Sequence, residues 1–218
     1  YILPGLVDAH AHLSLNSPAG DNATPIEAVR ASAKAHLQKG VLAIREHGSP
    51  DYAALDLRVE DGFPRIQTAG RFLAPHGKYF PGLAREIDEV DLPNAAEEEF
   101  RKSGAWVKVV GDFFNEHGDM VPNFHLEILK KSVERVHKLG GRIATHVVCA
   151  EAVERAIEAG FDSIEHGTAM QESHIKEMAR KKIAFTPTMT IREGILEMWK
   201  GSGSAEEYKK TEKAVRNQ

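Results

Sequence analysis

Two periods of apolar and polar positions take turns along this chain. The opening run Leu3-Pro4-Gly5-Leu6-Val7-Asp8-Ala9-His10-Ala11-His12 reads as a short buried strand that ends in two histidines one residue apart. Thr24-Pro25-Ile26-Glu27 supplies an N-cap, a first-turn proline and a reciprocal glutamate, and so opens a helix that stops at Gly40. Val41-Leu42-Ala43-Ile44 predicts a second strand, ending between Arg45 and Gly48. Arg65 to Ala74 predicts a third, followed by the loop Pro75-His76-Gly77-Lys78-Tyr79-Phe80-Pro81-Gly82. Ala95 to Ser103 reads as a short acidic helix, and Trp106-Val107-Lys108-Val109-Val110 as a strongly β-prone fourth strand. Leu126, Leu129, Val133 and Val136 step by three, four and three, marking a helix that stops at Gly140-Gly141.

Beyond that point strands begin near Arg142, Asp162 and Lys182, 20 residues apart each time, with helices over Ala150 to Ala159 and Gln171 to Arg180 between them. A last helical stretch covers Ala205 to Val215, after Gly201-Ser202-Gly203-Ser204, which reads as a loop on a barrel rim. Alternating βαβα with short apolar strands predicts a parallel sheet with helices packed outside it. A doubly wound sheet competes, but its glycine-rich fingerprint after the first strand is missing. Seven strands are one short of a closed ring. The expectation is an α/β fold: an incomplete TIM-type (β/α)8 barrel of about seven βα units, one domain over residues 1–218.

Composition narrows the function classes. The chain is 42% hydrophobic and 28% charged, enough for a sizeable core under an ordinary surface. A net charge of −4 gives no reason to expect nucleic acid or an anionic membrane as a partner. No apolar run approaches the roughly 18 residues of a membrane span. Cys149 is the sole cysteine, which rules out an intrachain disulfide. No signal peptide is visible in a chain that opens on Tyr1-Ile2-Leu3, and the expected location is cytoplasmic.

In such barrels the working residues sit at the carboxyl ends of the strands. His10 and His12 end the first strand, Lys108 lies in the fourth, His146 ends the run Arg142 to Thr145, and His166 ends Asp162 to Glu165. With 11 histidines in 218 residues, chance alone gives about 0.5 His-x-His pairs, so that motif gains weight only from its companions. His146 and His166, taken singly, suit hydrogen-bonded core or strand-end histidines equally well. Lys108 is the odd one. Its valine neighbours imply burial, and burying an ammonium costs several kcal/mol unless it is paired or neutralised. A lysine snorkelling from a strand end is the plain explanation. Reaction with carbon dioxide is the functional one, since the carbamate has two oxygens that can bridge two metal ions.

Pro4 to His12 resembles the strand-one signature of the amidohydrolase superfamily, and Thr145-His146 and Ser163-Ile164-Glu165-His166-Gly167-Thr168 resemble its strand-five and strand-six histidine motifs. Phe185-Thr186-Pro187-Thr188 resembles the strand-seven segment of the imidazolonepropionase-like and prolidase-like (Xaa-Pro dipeptidase, carboxypeptidase) branch. The resemblance implies two divalent ions: His10 and His12 on one, His146 and His166 on the other, and carboxylated Lys108 bridging them. Zinc stands first, with manganese, cobalt and nickel also suited to such donors. It further implies that a metal-activated water hydrolyses an amide or peptide bond of a small dipeptide or N-acyl amino acid. His76 falls where that branch places a substrate-contacting histidine, with Tyr79 as a companion. His47 and Asp8 are expected to support ligands, whereas His36, His117, His125, His137 and His174 are expected in solvent.

The same resemblance implies a base that accepts the water's proton, an aspartate ending an eighth strand. No aspartate here takes that position, since Asp112 follows the fourth strand and Asp162 begins the sixth. The catalytic base is therefore unassigned. The eighth strand and the family's flanking β-sandwich are expected to be missing, leaving the front three-quarters of a hydrolase with little or no activity and a site partly or wholly empty. Two other outcomes are carried forward. One is a mononuclear deaminase or cyclic-amide hydrolase of the same superfamily, which lacks the bridging lysine. The other is a non-catalytic barrel that pairs through its open edge, for instance as a homo-oligomer.

Overall fold

Each helix begins and ends where local chemistry requires. The computed structural model describes residues 2–15, 17–58 and 60–190. In chain order the elements are β1 (Leu6–Ala11), α1 (Pro25–Gln38), β2 (Val41–Glu46), α2 (Ala53–Leu57), β3 (Arg65–Thr68), β4 (Leu73–Pro75), β5 (Arg85–Ile87), α3 (Leu92–Ser103) and β6 (Trp106–Val110). They continue with β7 (Asp112–Phe114), β8 (Met120–Pro122), α4 (Leu126–Lys138), β9 (Arg142–Val147), α5 (Ala150–Ala159), β10 (Ser163–His166), α6 (Glu172–Lys181) and β11 (Ala184–Thr186). At the start of α1 the Glu27 carboxylate accepts the Thr24 backbone N–H at 2.9 Å and its hydroxyl at 2.6 Å. Helices α3 and α5 end on Gly104 and Gly160, whose left-handed φ of 70° and 86° lets the chain turn away.

All pairings are parallel except the β7–β8 hairpin. One sheet runs β1-β2-β3 and the other β11-β10-β9-β6-β4-β5. β3 and β4 are two halves of one barrel strand, broken at 69–72. The first half pairs with β2, and the second meets β6 through Leu73 and Val109. The order around the wall is thus β1, β2, β3 with β4, β6, β9, β10, β11: seven positions of an incomplete TIM-type barrel. Among the described residues β1 and β11 do not pair. Arg45 crosses the interior between them, its Nε donating to the Ala9 carbonyl at 2.8 Å and its Nη2 to Thr186 Oγ1 at 3.0 Å.

The main core lies between this wall and α3, α4 and α5. It holds Leu73, Val107, Val109, Ile143 and Ile164 from strands against Leu92, Val133, Val136, Val153 and Ile157 from helices. Every residue of β6 is buried, as a central parallel strand covered on both faces must be. A smaller core under α1 joins Leu13, Val29, Ala33, Ile44, Leu57 and Ile66.

The structure revises several boundaries. The third strand is interrupted, because Gly70 adopts φ 72° where the chain bends. The acidic helix starts at Leu92, with a proline tolerated in its first turn. β11 starts at Ala184, since Lys182 takes φ 60° to end α6. α2, β5 and the β7–β8 hairpin are too short to leave a periodic signature. The predicted helix over 205–215 and the loop over 201–204 lie outside the described residues. No helix among the described residues is long and apolar enough to cross a membrane.

Candidate metal centre

The first two imidazoles meet because β1 does not pair regularly to its end. Its register with β2 shifts between Asp8 and Ala11, and the rings of His10 and His12 come to 5.1 Å. A second local irregularity completes the group from the other side. His166, the last residue of β10, has φ 70°, a region that side-chain-bearing residues seldom occupy. This turn lets Glu165 and His166 face the same interior. The His166 ring lies 5.0 Å from His10 and 4.5 Å from His146. Lys108, 2% exposed on β6, sets its Nζ 3.5 Å from His47 Nδ1, and His47 stacks on His10 at 4.5 Å. His12, His10, His166 and His146 thus form a continuous run of ring contacts, which Lys108 reaches through His47.

Hydrogen bonds fix which ring nitrogen is free. His10 Nδ1 lies 2.8 Å from Glu165 Oε2, and His12 Nδ1 lies 2.5 Å from the Gly48 carbonyl. Both partners are acceptors, so each neutral ring carries its proton on Nδ1 and keeps the Nε2 lone pair for a cation. His166 Nδ1 is likewise occupied, by Thr188 Oγ1 at 2.7 Å. Burial, followed by the nearby Lys108 ammonium, lowers His12 to about 4 and His146 to about 3, and pushes His10 further down and His47 well below its ordinary value. Burial also lowers His166, with His146 the next contributor. All five rings are neutral, as metal ligation requires. Burial lowers Lys108 itself to about 8.

Glu165 is the hub beneath them. Its Oε1 accepts from Arg45 Nη2 at 3.1 Å and from the Ser163 hydroxyl at 2.5 Å, and its side chain is fully buried. Donor atoms of His10, His47 and Glu165 all lie within 4.8 Å of one another, a grouping compatible with a cation. Those atoms are already bonded to protein, however. His47 Nε2 faces the Ala9 carbonyl at 3.1 Å, and Arg45 neutralises Glu165. The trio therefore acts as a brace for His10. The four imidazoles and the Lys108 amine supply further nitrogen donors, of the kind zinc takes. Asp112 adds a carboxylate oxygen at the edge of this group. Its Oδ2 accepts the Val148 and Cys149 N–H groups at 2.6 and 2.7 Å. Its Oδ1, buried without a hydrogen-bond partner, stands 3.7 Å from His146 Nε2. Burial raises Asp112 to about 6 and Glu46 to about 7.

Not every expected residue joins. The His76 side chain is 64% exposed and leans on Glu86 and Asp88 at 3.6 and 3.8 Å. Tyr79 of the same loop packs on His146 instead, with ring centroids 5.7 Å apart. Asp8 accepts the His10 backbone N–H at 2.9 Å and pairs with His36 at 3.0 Å, so His36 is engaged by β1 rather than left to solvent. His174 is also not free: it is 9% exposed and accepts the Gln171 N–H at the start of α6. Glu165 and Arg45 escaped the sequence reading. The available signal was the strand period, which puts Glu165 on the same face as Ser163.

The amidohydrolase family profile matches residues 1–213. An uncharacterized protein of Mycobacterium tuberculosis is 39% identical over 192 residues, which cover 87% of this chain and 50% of that protein. The chain thus spans half the length of the curated relatives it matches. A Xaa-Pro dipeptidase with bound methionine in the active site has a TM-score of 0.77 at 24% identity, over 99% of this chain and 61% of that one. A prolidase complexed with N-methylphosphonate-L-proline has a TM-score of 0.76 at 21% identity, over 95% and 59%. At these identities the two structures speak for a common fold.

Proposed function

This chain belongs to the amidohydrolase family, and we propose that it carries the metal-binding face of a hydrolase that cleaves an amide or peptide bond of a small substrate. The observation that carries the reading is the meeting of four neutral imidazoles, from β1, β9 and β10, with the buried Lys108 of β6. His10 and His12 would hold one divalent ion and His146 and His166 a second, zinc being the first candidate. Lys108 would join both ions as a carbamate: its neutral amine would add to carbon dioxide, forming the N–C bond, and the displaced proton would go to solvent. Burial favours this by enlarging the neutral fraction of the amine. Ions bound there supply Lewis acidity toward the scissile carbonyl and a lowered pKa for water.

The remaining work falls to the chain. Glu165 and Arg45 hold His10 in one tautomer, and the Gly48 carbonyl does the same for His12. The names of the structural neighbours favour a dipeptide of the Xaa-Pro kind as substrate. We keep His76, exposed on the rim after β4, as the group that would meet the outer end of such a substrate. Among the described residues, Asp162 is engaged by His137 at 2.8 Å, whereas Asp112 spends one oxygen on the Val148 and Cys149 N–H groups and keeps Oδ1 unpartnered, 3.7 Å from His146.

Elemental analysis of the folded protein, alongside hydrolysis of a dipeptide panel with and without added zinc, tests the assignment. Two ions per chain and zinc-dependent release of free amino acids are expected. A folded protein that takes up no divalent ion and cleaves no amide overturns it.

A further inference from the structure

Two loops that leave neighbouring strands meet in a run of aromatic rings beside the imidazoles. Phe72 and Tyr79 come from the β4 segment and its following loop, Phe80 stands next to Tyr79, and Phe113 and Phe114 belong to β7. Phe72 packs edge-on to Tyr79 at 5.5 Å, Tyr79 on Phe80 at 5.2 Å and on Phe113 at 5.6 Å, Phe80 on Phe113 at 5.3 Å, and Phe113 on Phe114 at 5.4 Å. These are separations at which rings attract one another. The run has an inner and an outer end. Inside, Phe72 lies 5.8 Å from the His12 ring and Tyr79 lies 5.7 Å from His146. Outside, Phe80 is 54% and Phe114 49% exposed. The two loops are fastened together, because the Asn123 side-chain amide donates to the carbonyls of Lys78 and Val110 at 3.1 and 3.0 Å.

Packing alone does not account for this arrangement. Rings recruited only to join two loops gain most when they are buried, yet the outer two stand half open, and the inner two, packed with Ala74, Ala84 and Val110, also border the candidate ligands. His76 of the same loop is turned aside and rests on Glu86 and Asp88. Burial raises the Tyr79 phenol to about 12, so this wall carries no charge at physiological pH. What remains is an uncharged aromatic wall that leads from solvent to His146.

We propose that Phe72, Tyr79, Phe80, Phe113 and Phe114 form a substrate subsite that takes a large apolar side chain, aromatic or branched, on the residue next to the scissile bond. The proposal rests on the hydrolase reading given above. It names the class of substrate: neutral, with a bulky hydrophobic group covering Phe80 and Phe114 as it binds.

The test compares kcat/KM of the zinc-loaded protein on Phe-Pro, Leu-Pro, Ala-Pro and Glu-Pro. Phe-Pro and Leu-Pro are expected to exceed Ala-Pro by tenfold or more, roughly what an apolar pocket yields for a side chain of that size, with Glu-Pro lowest. Phe80→Ala and Phe114→Ala, both at half-exposed positions that the fold does not need filled, each lower the Phe-Pro to Ala-Pro ratio by about tenfold. A ratio that neither variant moves, or a preference for Glu-Pro, overturns the subsite. Calorimetric titration with L-phenylalaninamide and L-alaninamide separates this from the hydrolase reading. Tighter binding of the phenyl ligand that weakens in Phe80→Ala upholds the subsite even if no dipeptide is cleaved. Equal binding of the two amides overturns it.

Discussion

Glu165 Oε2 lies 2.8 Å from His10 Nδ1, and the same carboxylate is clamped on its other oxygen by Arg45. The pair joins a residue of the first strand to one of the sixth barrel strand, and it decides which nitrogen of His10 carries the proton. Glu165→Gln keeps the shape and removes the charge, so His10 loses the partner that raises its basicity. Zinc affinity is expected to fall 10- to 100-fold, the usual effect of removing such a support, with cooperative unfolding retained. Glu165→Ala does more harm, because Arg45 is left as a buried cation without its counter-charge, a loss of roughly 3–5 kcal/mol. Competition with a zinc chelator and urea denaturation read the two effects separately. A Gln variant that binds zinc as tightly as the parent denies Glu165 this role.

Lys108 is held below the ordinary lysine value of 10.5, at about 8, by burial. Between those values the unfolded chain keeps a proton that the folded chain has given up, so metal-free stability rises with pH there. The cleanest window is pH 8–9, below the range in which Cys149 and Tyr79, both raised by burial, begin to titrate in the opposite sense. A gain of about 1 kcal/mol across that unit is expected, and Lys108→Met abolishes it while raising metal-free stability at pH 7. If Lys108 bridges as proposed, the same substitution removes that donor, and the metal count is expected to fall from two to one or none. Chemical denaturation at a series of pH values and metal analysis check both parts.

Acid acts through the five buried imidazoles. Their folded pKa values lie at about 4 for His12, about 3 for His146, lower still for His10 and His166, and well below the ordinary value for His47, against 6.5 when unfolded. Below pH 6.5 the unfolded chain therefore takes up protons that the folded chain refuses, and stability falls with falling pH by about 1.4 kcal/mol per unit for each ring. Glu46 and Asp112, raised to about 7 and about 6, work the other way, because the folded chain protonates them first. Five against two leaves a net acid lability of several kcal/mol per pH unit. Metal-free protein is expected to unfold cooperatively before pH 4, and His146→Gln to flatten the slope by one imidazole. Circular dichroism during acid titration checks it, and a metal-free fold that survives to pH 3 contradicts it.

The parts of this molecule legible in the sequence are those set by local periodicity. The seven strand positions follow from short apolar runs, and α1 from the reciprocal bonds of Thr24 and Glu27. The cluster was legible for a different reason: Lys108 among valines is a misfit, and histidines at strand ends converge once the sheet curls. Glu165 and Arg45 were not legible, because a charged residue at a strand end faces solvent unless a distant strand turns it inward, and the first-strand groups they bond, His10 and the Ala9 carbonyl, lie in another part of the chain. The loop after β4 hid its geometry likewise. Nothing periodic tells that Tyr79 turns toward His146 while His76 turns out to Glu86. The φ of 70° at His166 belongs to the same class, a local turn imposed by its surroundings.

Gly48 gives a last prediction, in which space and conformation act together. Its φ is 98°, and a Cβ there would stand 3.0 Å from the Gly70 carbonyl oxygen and 3.1 Å from both the backbone nitrogen and the ring of Phe72. The Gly48 carbonyl is also the acceptor that fixes the His12 tautomer. Gly48→Ala thus adds left-handed strain of about 1–2 kcal/mol to overpacking against a backbone that has little room to yield, for a total loss of roughly 2–4 kcal/mol. The carbonyl must shift as the chain relieves the contact, so zinc bound through His12 weakens as well. Gly40→Ala is the control: φ is 83° there too, but nothing lies within 4 Å of its would-be Cβ. It should cost the strain alone and leave zinc affinity unchanged. Urea denaturation and zinc titration of both variants decide the matter. Equal stability losses with parental zinc binding in Gly48→Ala mean that crowding at Gly48 does not reach His12.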